Sequence, residues 1–233
     1  MIITIDGPAG AGKSTVARLL AKALGFIYID TGAMYRALTL KAIEEGINFH
    51  DQQALTNMSR DSQLEITNNQ DGSIRILLDG ADVSSEIRSP RITQYVSDIA
   101  KIKGVRQEML KLQRILGESA DSVLDGRDIG TVVFPEADKK FYLDADFQER
   151  ARRRHEEFKD LGNKLTRKDV EIDLENRDNI DSTRSCAPLK KADDAIYVDT
   201  TNMTIDEVVA FLMAEVKKVP DIRNQKPNIK NQK

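Results

Sequence analysis

The sequence predicts an α/β fold built around a parallel sheet, and three observations lead to that prediction. Short apolar runs typical of buried strands alternate with helical patterns along the 233 residues, which indicates parallel strands joined by right-handed crossovers. A glycine-rich loop joins the first strand to the first helix. Charged residues directly follow several strands, at the edge where α/β sheets bind ligands.

The individual elements follow in chain order. Apolar runs predict five strands of the sheet, at 2–6, 26–29, 122–126, 140–143 and 195–199. Helical periodicity predicts helices at 16–24, 33–45, 89–116 and 204–217, and a charged helical stretch at 146–184. Two further runs, at 64–67 and 73–78, flank a turn-like segment and predict an antiparallel hairpin. Because this hairpin interrupts the alternation of strands and helices, we interpret it as an insertion.

The first loop carries the pattern G-x-x-x-x-G-K-[ST] between a strand and a helix, which is the context of a phosphate-binding loop. Its backbone N–H groups and the helix N-terminus favour phosphate oxygens. Lys13 can reach the β- and γ-phosphates, and the Ser14 hydroxyl can bind Mg²⁺. The alternative, a glycine-rich turn without a ligand, is disfavoured by the complete pattern and both flanks. The predicted nucleotide-binding residues are Gly7, Pro8, Ala9, Gly10, Ala11, Gly12, Lys13, Ser14 and Thr15.

Composition limits the classes of function. The formal net charge of −3 disfavours a general nucleic-acid-binding protein, which needs a basic surface. Cys186 is the only cysteine, so no internal disulfide is possible. No apolar run is long enough to span a membrane, and the N-terminus lacks the pattern of a signal peptide. We therefore expect a cytoplasmic protein, and a monomer because there is no sustained heptad pattern.

Arginines form a second candidate feature, because the guanidinium group binds phosphate through two hydrogen bonds and stays charged. They lie near predicted loops or on charged helices, at Arg36, Arg88, Arg91, Arg106, Arg127, Arg177 and Arg184, and in a cluster of Arg150, Arg152, Arg153 and Arg154. The cluster is equally compatible with a solvated helix face. Arg177, Asp181 and Arg184 share one face of a helix, which fits either an ion-pair ladder or a surface that meets a sugar and a phosphate.

A third feature lies where the predicted strand 122–126 ends in Asp-Gly-Arg-Asp. The carboxyl end of a strand in an open α/β sheet faces the ligand crevice. The phosphate-binding loop leaves from the same edge, as do Thr31 and Arg36 after the second strand. Three separate segments are therefore predicted to converge on one crevice.

Four segments carry a resemblance to a known family. They are D-G-P-A-G-A-G-K-S-T at 6–15, D-T-G-A-M-Y-R at 30–36, D-G-R-D-I-G-T-V-V-F-P at 125–135 and R-D-x-x-D-S-x-R-x-x-A-P-L at 177–189. Together they resemble the bacterial cytidylate kinases, which are nucleoside monophosphate (NMP) kinases, over residues 1 to about 217. The resemblance implies an NMP-kinase fold in one unit over 1–219, with a five-stranded parallel core, a β-rich insertion at about 62–88 and a helical lid at about 149–185. The polar tail 220–233 lies outside the resemblance, and we expect it to be disordered.

The resemblance also implies roles for individual residues. The implied cytosine-reading residues are Ser97, Arg106 and Asp128. The acceptor phosphate is assigned to Arg36, Arg127 and Arg184, and the ribose to Arg177 and Asp181, with Thr31 in the same substrate site. The implied catalytic residues are Lys13, Arg127, Arg153 and Arg154, and the sequence leaves open which lid arginine reaches the transferred phosphoryl group.

The implied activity is phosphorylation of CMP and dCMP by ATP with Mg²⁺. A nucleoside monophosphate is mostly dianionic near neutral pH, so its oxygen needs no protein base. The nearest alternative is a kinase of the shikimate or gluconate type, which phosphorylates a hydroxyl and would use Asp30 or Asp128 as base. A regulatory switch is disfavoured, because the guanine-reading Asn-Lys-x-Asp pattern fails at Thr166 of Asn-Lys-Leu-Thr.

Overall fold

The computed structural model describes residues 1–69, 73–160 and 162–218, so the tail expected at 220–233 lies outside the described residues. The strands are β1 (Ile2–Asp6), β2 (Ile27–Asp30), β3 (Leu64–Asn68), β4 (Ile74–Leu78), β5 (Ala81–Asp82), β6 (Ser122–Gly126), β7 (Lys139–Asp144) and β8 (Ile196–Asp199). The helices are α1 (Lys13–Leu24), α2 (Thr31–Glu44), α3 (Gln52–Asp61), α4 (Pro90–Ala100), α5 (Lys103–Glu118), α6 (Phe147–Asp160), α7 (Arg167–Thr183) and α8 (Ile205–Lys217).

The central sheet has five parallel strands in the order β2-β6-β1-β7-β8, which confirms the predicted fold class and all five predicted strands. Successive side chains of a strand face opposite sides of a sheet. Accordingly, Val123 packs in the apolar cluster that contains Leu20 of α1 and Leu212 of α8. Leu124 packs in the cluster that contains Leu38 of α2. Helices therefore cover both faces of the central strands β1 and β6, whose residues are almost all buried, whereas the edge strand β8 leaves Tyr197 exposed.

The register of the strands sets the position of the site. Asp6 at the end of β1 pairs with Gly126 of β6, and Asp30 at the end of β2 pairs with Asp125. The loops that follow these three strands therefore leave the sheet at the same level and on the same edge.

The predicted hairpin is confirmed as β3 and β4, and the short strand β5 extends it to a three-stranded antiparallel sheet. Ile76 and Leu78 of β4 lie in the same apolar cluster as Leu38 of α2. The insertion therefore shares the core of the main body instead of forming a core of its own.

Two predicted helical regions are divided in the structure. Region 89–116 forms α4 and α5, because the buried Ile102 between them adopts an extended conformation with ψ 119°. Region 146–184 forms α6 and α7, with Gly162 at φ 76° between them and a capping box of Thr166 and Asp169 at the start of α7.

Helix α3, which the sequence analysis does not predict, follows the N-cap residue Asp51. Within the described part of the chain, no helix combines the length and apolarity needed to cross a membrane.

Candidate active site

The loop after β1 can follow its path only with glycine at its bends. Gly7 has φ 146°, and a Cβ there would lie 1.9 Å from the Leu143 carbonyl oxygen of the neighbouring strand β7. Gly10 has φ 78°, and its Cβ would lie 2.8 Å from the backbone oxygen of Arg150. Gly12 caps α1 without a side-chain hydrogen bond, so the first N–H groups of this helix have no side-chain acceptor at the cap. This arrangement suits a phosphate group.

Lys13 begins α1 and is buried, and its Nζ donates a hydrogen bond of 2.6 Å to the Pro8 carbonyl across the loop. Burial and the nearby Arg127 lower the pKa of Lys13 below its ordinary value. A polyanion at the loop would stabilise the charged ammonium, because it offsets both effects.

Asp125 is a functional candidate to which the sequence analysis assigns no role of its own. Its carboxylate accepts hydrogen bonds from Ser14 Oγ at 2.8 Å and from the Tyr28 hydroxyl at 2.7 Å. Burial and the neighbouring Asp30 raise the pKa of this carboxyl above its ordinary value. Asp125 lies near the end of β6, the neighbour of the strand β1 that leads into the phosphate loop. P-loop proteins have a Mg²⁺-binding Asp at this position, so the position of Asp125 in the sequence is the signal that identifies it.

The pair of Ser14 and Asp125 fits Mg²⁺ in the manner of a nucleotide-bound ion. A hydroxyl and one carboxylate are hard oxygen ligands, and phosphate oxygens and waters normally complete the octahedron. The described residues contain no cluster of three or more His, Cys, Asp or Glu side chains able to hold a metal ion.

The second half of the site is centred on Asp128, which is buried between two arginines. Arg106 Nη2 donates to one carboxylate oxygen, and Arg184 Nη2 donates to the other at 3.2 Å. The Arg106 guanidinium also lies over the Tyr35 ring, 5.5 Å from its centroid, and Ser97 lines the same cavity. The structure thus brings the three residues implied in base reading together. It adds Arg184, which the sequence analysis assigns to the acceptor phosphate.

Asp181 of α7 occupies a similar position beside Arg127, whose Nε donates to it at 2.9 Å. Arg184 Nη1 is 3.7 Å from the other oxygen of Asp181. Although burial opposes ionisation, Arg127, Arg184 and Arg177 lower the pKa of Asp181 below its ordinary value. Arg177, Asp181 and Arg184 line the cavity. Of these two arginines, only Arg184 pairs with Asp181, whereas the ion-pair partner of Arg177 is Asp173, so the three residues form a wall of the site and not a continuous ion-pair ladder.

Arg36, Arg154 and Arg177 form a cationic group that lines the same cavity as Asp128. Arg36 Nη1 and Arg154 Nη2 donate to the hydroxyl of Thr93, at 2.7 and 3.3 Å. Burial and repulsion from Arg154 and Arg127 lower the pKa of Arg177 to about 10. Among the described residues, Nε of Arg154 and Nε of Arg177 are buried without a hydrogen-bond partner. Unpaired guanidinium donors in a group of like charges suit a phosphate ligand. Thr93 has no sequence signal, because its role depends on arginines distant in the chain.

The arginines at 150–154 separate into different environments. Arg153 donates to Oγ1 and to the backbone oxygen of Thr200, at 3.0 and 2.6 Å, beside the phosphate loop. Arg154 donates to the hydroxyl of Thr93 in α4. Arg152 is exposed and pairs with glutamates of its own helix, as the solvated-face interpretation expects, and it also lines the cavity. Arg150 is buried.

Both halves belong to one cavity of about 700 Å³. Its walls include the loop residues Ala9 to Thr15, together with Thr31, Arg36, Ser97, Arg106, Arg127, Asp128, Arg153, Arg154, Arg177, Asp181 and Arg184. Thr31 Oγ1 donates to the Asp125 backbone oxygen at 2.7 Å, which fixes the start of α2 at the cavity. The phosphate loop and the arginine-lined half thus face a common space.

The fold, the phosphate loop and the arginine-lined second half define a P-loop kinase of the nucleoside monophosphate kinase class. The family model for cytidylate kinase matches residues 3–218, and the chain belongs to the cytidylate kinase family. The cytidylate kinase of Caldanaerobacter subterraneus is 49% identical over 216 residues, covering 93% of this chain and 94% of the relative. That of Lactobacillus johnsonii is 47% identical over 218 residues, covering 94% of each chain. A crystal structure of an uncharacterized protein from Eubacterium ventriosum shares the fold, at a TM-score of 0.50 and 11% identity over 93% of this chain and 98% of that one.

Proposed function

We propose that this chain transfers the γ-phosphoryl group of ATP to CMP and dCMP, forming CDP and dCDP. The observation that carries the proposal is the Asp128 carboxylate, buried between Arg106 and Arg184 in the cavity that also contains the phosphate loop. A carboxylate acceptor beside a guanidinium donor matches the edge of cytosine, which presents an amino donor next to ring acceptors. Uracil would place a carbonyl oxygen against Asp128, and these two acceptors cannot form a hydrogen bond with each other.

The donor side consists of the loop and its flanking residues. Lys13 and the loop N–H groups bind the donor phosphates, and Ser14 and Asp125 hold Mg²⁺. When bound, Mg²⁺ would neutralise charge on the phosphates. Arg153 donates to Thr200 beside the loop, which supports a role for this lid arginine on the donor side.

The acceptor side holds the monophosphate by charge. Arg36, Arg127 and Arg184 are assigned to its phosphate, with Arg177 and Asp181 at the ribose and Ser97 and Thr31 in the same site. The oxygen that attacks is already ionised near neutral pH, so the work of the protein is positioning and charge stabilisation by Lys13 and the arginines.

The rival activity, phosphorylation of a hydroxyl, requires a free carboxylate base. Asp128 is held by two arginines. Asp30 accepts the N–H of Ala33 at 2.8 Å as the cap of α2, and Arg88 lies 3.7 Å from its second oxygen. Both carboxylates are occupied in structural or charge-pairing roles, which favours a phosphate acceptor.

The remaining expectations belong to the same proposal. The chain over 1–219 acts as one unit, in which 149–185 serves as a lid and 62–88 as an insertion near the acceptor. We propose a cytoplasmic monomer whose partners are small nucleotides.

The test is a coupled ADP-release assay with MgATP and a panel of acceptors: CMP, dCMP, UMP, AMP, GMP, shikimate and gluconate. We expect CMP and dCMP to stimulate ADP release above every other acceptor. Stimulation by shikimate or gluconate would support the hydroxyl kinase, and no stimulation by any acceptor would support a nucleotide-binding module.

A further inference from the structure

The apex of the phosphate loop is packed inside the helical segment that follows β7. Ala9 is buried in a small apolar cluster otherwise contributed by α6 and α7, whose buried members are Ala151, Phe158, Val170 and Leu174. At Gly10, a Cβ would lie 2.8 Å from the Arg150 backbone oxygen and 3.0 Å from its Cβ. The loop apex and the α6–α7 segment therefore share one interface.

Arg150 is the polar anchor of this interface, and neither the phosphate-binding nor the base-reading group uses it. Its Nη1 donates to the Ala9 backbone oxygen at 3.0 Å and to Asp178 Oδ2 of α7 at 2.6 Å. Its Nε donates to the Ala145 backbone oxygen at 3.1 Å, just before α6. The side chain thus joins the phosphate loop, the start of α6 and the middle of α7.

The bond to Ala9 fixes the orientation of a peptide group. In a trans peptide the carbonyl oxygen and the following N–H point in opposite directions. Because the Ala9 oxygen is held toward Arg150, the Gly10 N–H points away from α6. In a phosphate loop these N–H groups are the donors that bind phosphate.

We propose that Arg150 is a positioning residue for the donor nucleotide. Supported by Asp178, it orients the Ala9–Gly10 peptide for phosphate binding and makes loop geometry depend on the docking of α6 and α7. This inference rests on the proposed binding of ATP at the loop. The inference predicts that loss of Arg150 weakens binding of the donor nucleotide only. Within the described residues, no hydrogen bond joins Arg150 to the group around Asp128 or to the group around Thr93.

The experiment compares Arg150→Met, Arg150→Lys and Arg167→Met. Arg167 is a matched control because it also joins α7 to α6, through Gln148 Oε1 at 2.7 Å, but is exposed. Its hydrogen bonds go to Glu171 and Gln148, away from the loop. For each variant we would measure the Kd for MgATP by calorimetry, the KM for MgATP and for CMP, kcat, and the thermal unfolding midpoint.

Arg150→Met is expected to raise the Kd and KM for MgATP about tenfold while the KM for CMP stays within about twofold. Arg150→Lys should recover part of the loss, because one ammonium group can reach the Ala9 oxygen or Asp178 but cannot reproduce the fork. Arg167→Met should match the wild type in all five quantities.

Three outcomes would overturn the inference: an unchanged Kd for MgATP in Arg150→Met, equal increases in KM for MgATP and CMP, or the same donor defect in Arg167→Met. If Arg150→Met fails to fold, the Asp178→Asn variant is measured instead. A KM that is raised for MgATP but not for CMP would support the inference, and an unchanged KM for MgATP would overturn it. Failure of the wild-type protein to bind MgATP would instead refute the proposed function, which keeps the two failures distinct.

Discussion

Lys13 shows how a charged side chain is kept buried for a ligand. Its ammonium group bonds to the Pro8 carbonyl of its own loop, and burial and Arg127 lower its pKa. The folded protein therefore holds this charge at a cost that a polyanionic nucleotide would relieve.

We expect Lys13→Ala to lower kcat on the order of 10³-fold, because the variant loses a charge that stabilises the transferring phosphoryl group. The thermal unfolding midpoint should stay close to that of the wild type, because the lost hydrogen bond is local to the loop. The ADP-release assay and thermal melts measure the two quantities. Near-normal turnover would exclude Lys13 from catalysis.

Asp128 is the residue that we propose to recognise the base. We expect Asp128→Asn to reduce the ratio of kcat/KM for CMP to that for UMP about tenfold, because the amide can donate to uracil as well as accept from cytosine. The ratio for CMP to dCMP is an internal control, since it concerns the sugar. An unchanged CMP to UMP ratio would remove Asp128 from base recognition.

At the scale of elements, Asp6 joins β1 to the turn that follows β6. Its carboxylate accepts the N–H groups of Ile129 and Gly130, at 2.8 and 2.7 Å. Asp128 directly precedes these residues, so Asp6, the last residue before the phosphate loop, also supports the segment that carries the Asp128 carboxylate. The link is a contact between side chain and backbone across the sheet, and neither segment alone indicates it.

The same carboxyl gives a pH prediction. Burial raises the pKa of Asp6 to about 7, so between about pH 4 and about pH 7 the folded protein retains a proton that the unfolded chain releases. The free energy of unfolding of the wild type, relative to Asp6→Asn, should therefore decrease as the pH rises through this range. Urea unfolding of both proteins across the range measures the difference. A difference that is independent of pH would contradict the prediction.

The elements that the sequence predicts well are those whose stability is local or fully apolar. Each of the five strands of the sheet contains a short apolar run, and the loop pattern marks the start of α1. The break at Ile102 is not readable, because the helical periodicity continues across it and the break depends on burial of that side chain. Helix α3 does have local signals, the cap at Asp51 and the buried Leu55 and Met58, which the mostly polar run conceals.

At the scale of the whole molecule, the sequence predicts where the site lies, but it predicts only some of the contacts within the site. Strand order and the loop pattern put three segments at one edge, and the structure brings their residues into one cavity. The contacts of Thr93, of Arg150 and of Arg184 with Asp128 were not predictable, because each joins segments that are distant in sequence.

Within the segment 149–185, which we propose to be a lid, Arg153 donates to Thr200 and Arg154 donates to Thr93. We expect 62–88 and 149–185 to move toward each other when CMP and a non-hydrolysable ATP analogue bind together, because closure excludes water from the transfer. Small-angle scattering should show a smaller radius of gyration with both ligands than with either alone, and GMP in place of CMP is the control. Equal dimensions in every condition would contradict closure.

The neighbouring positions of β1 and β6 also bear on how the protein is made. Ile5 pairs with Asp125, so the strand that leads into the phosphate loop is bordered by one that leaves the ribosome much later. An emerging chain that stops short of β6 therefore has the loop sequence but neither Asp125 beside Ser14 nor Asp128 beside Arg106. Nucleotide binding consequently cannot assist the early stages of biosynthesis. It can stabilise the enzyme only after most of the polypeptide has been translated.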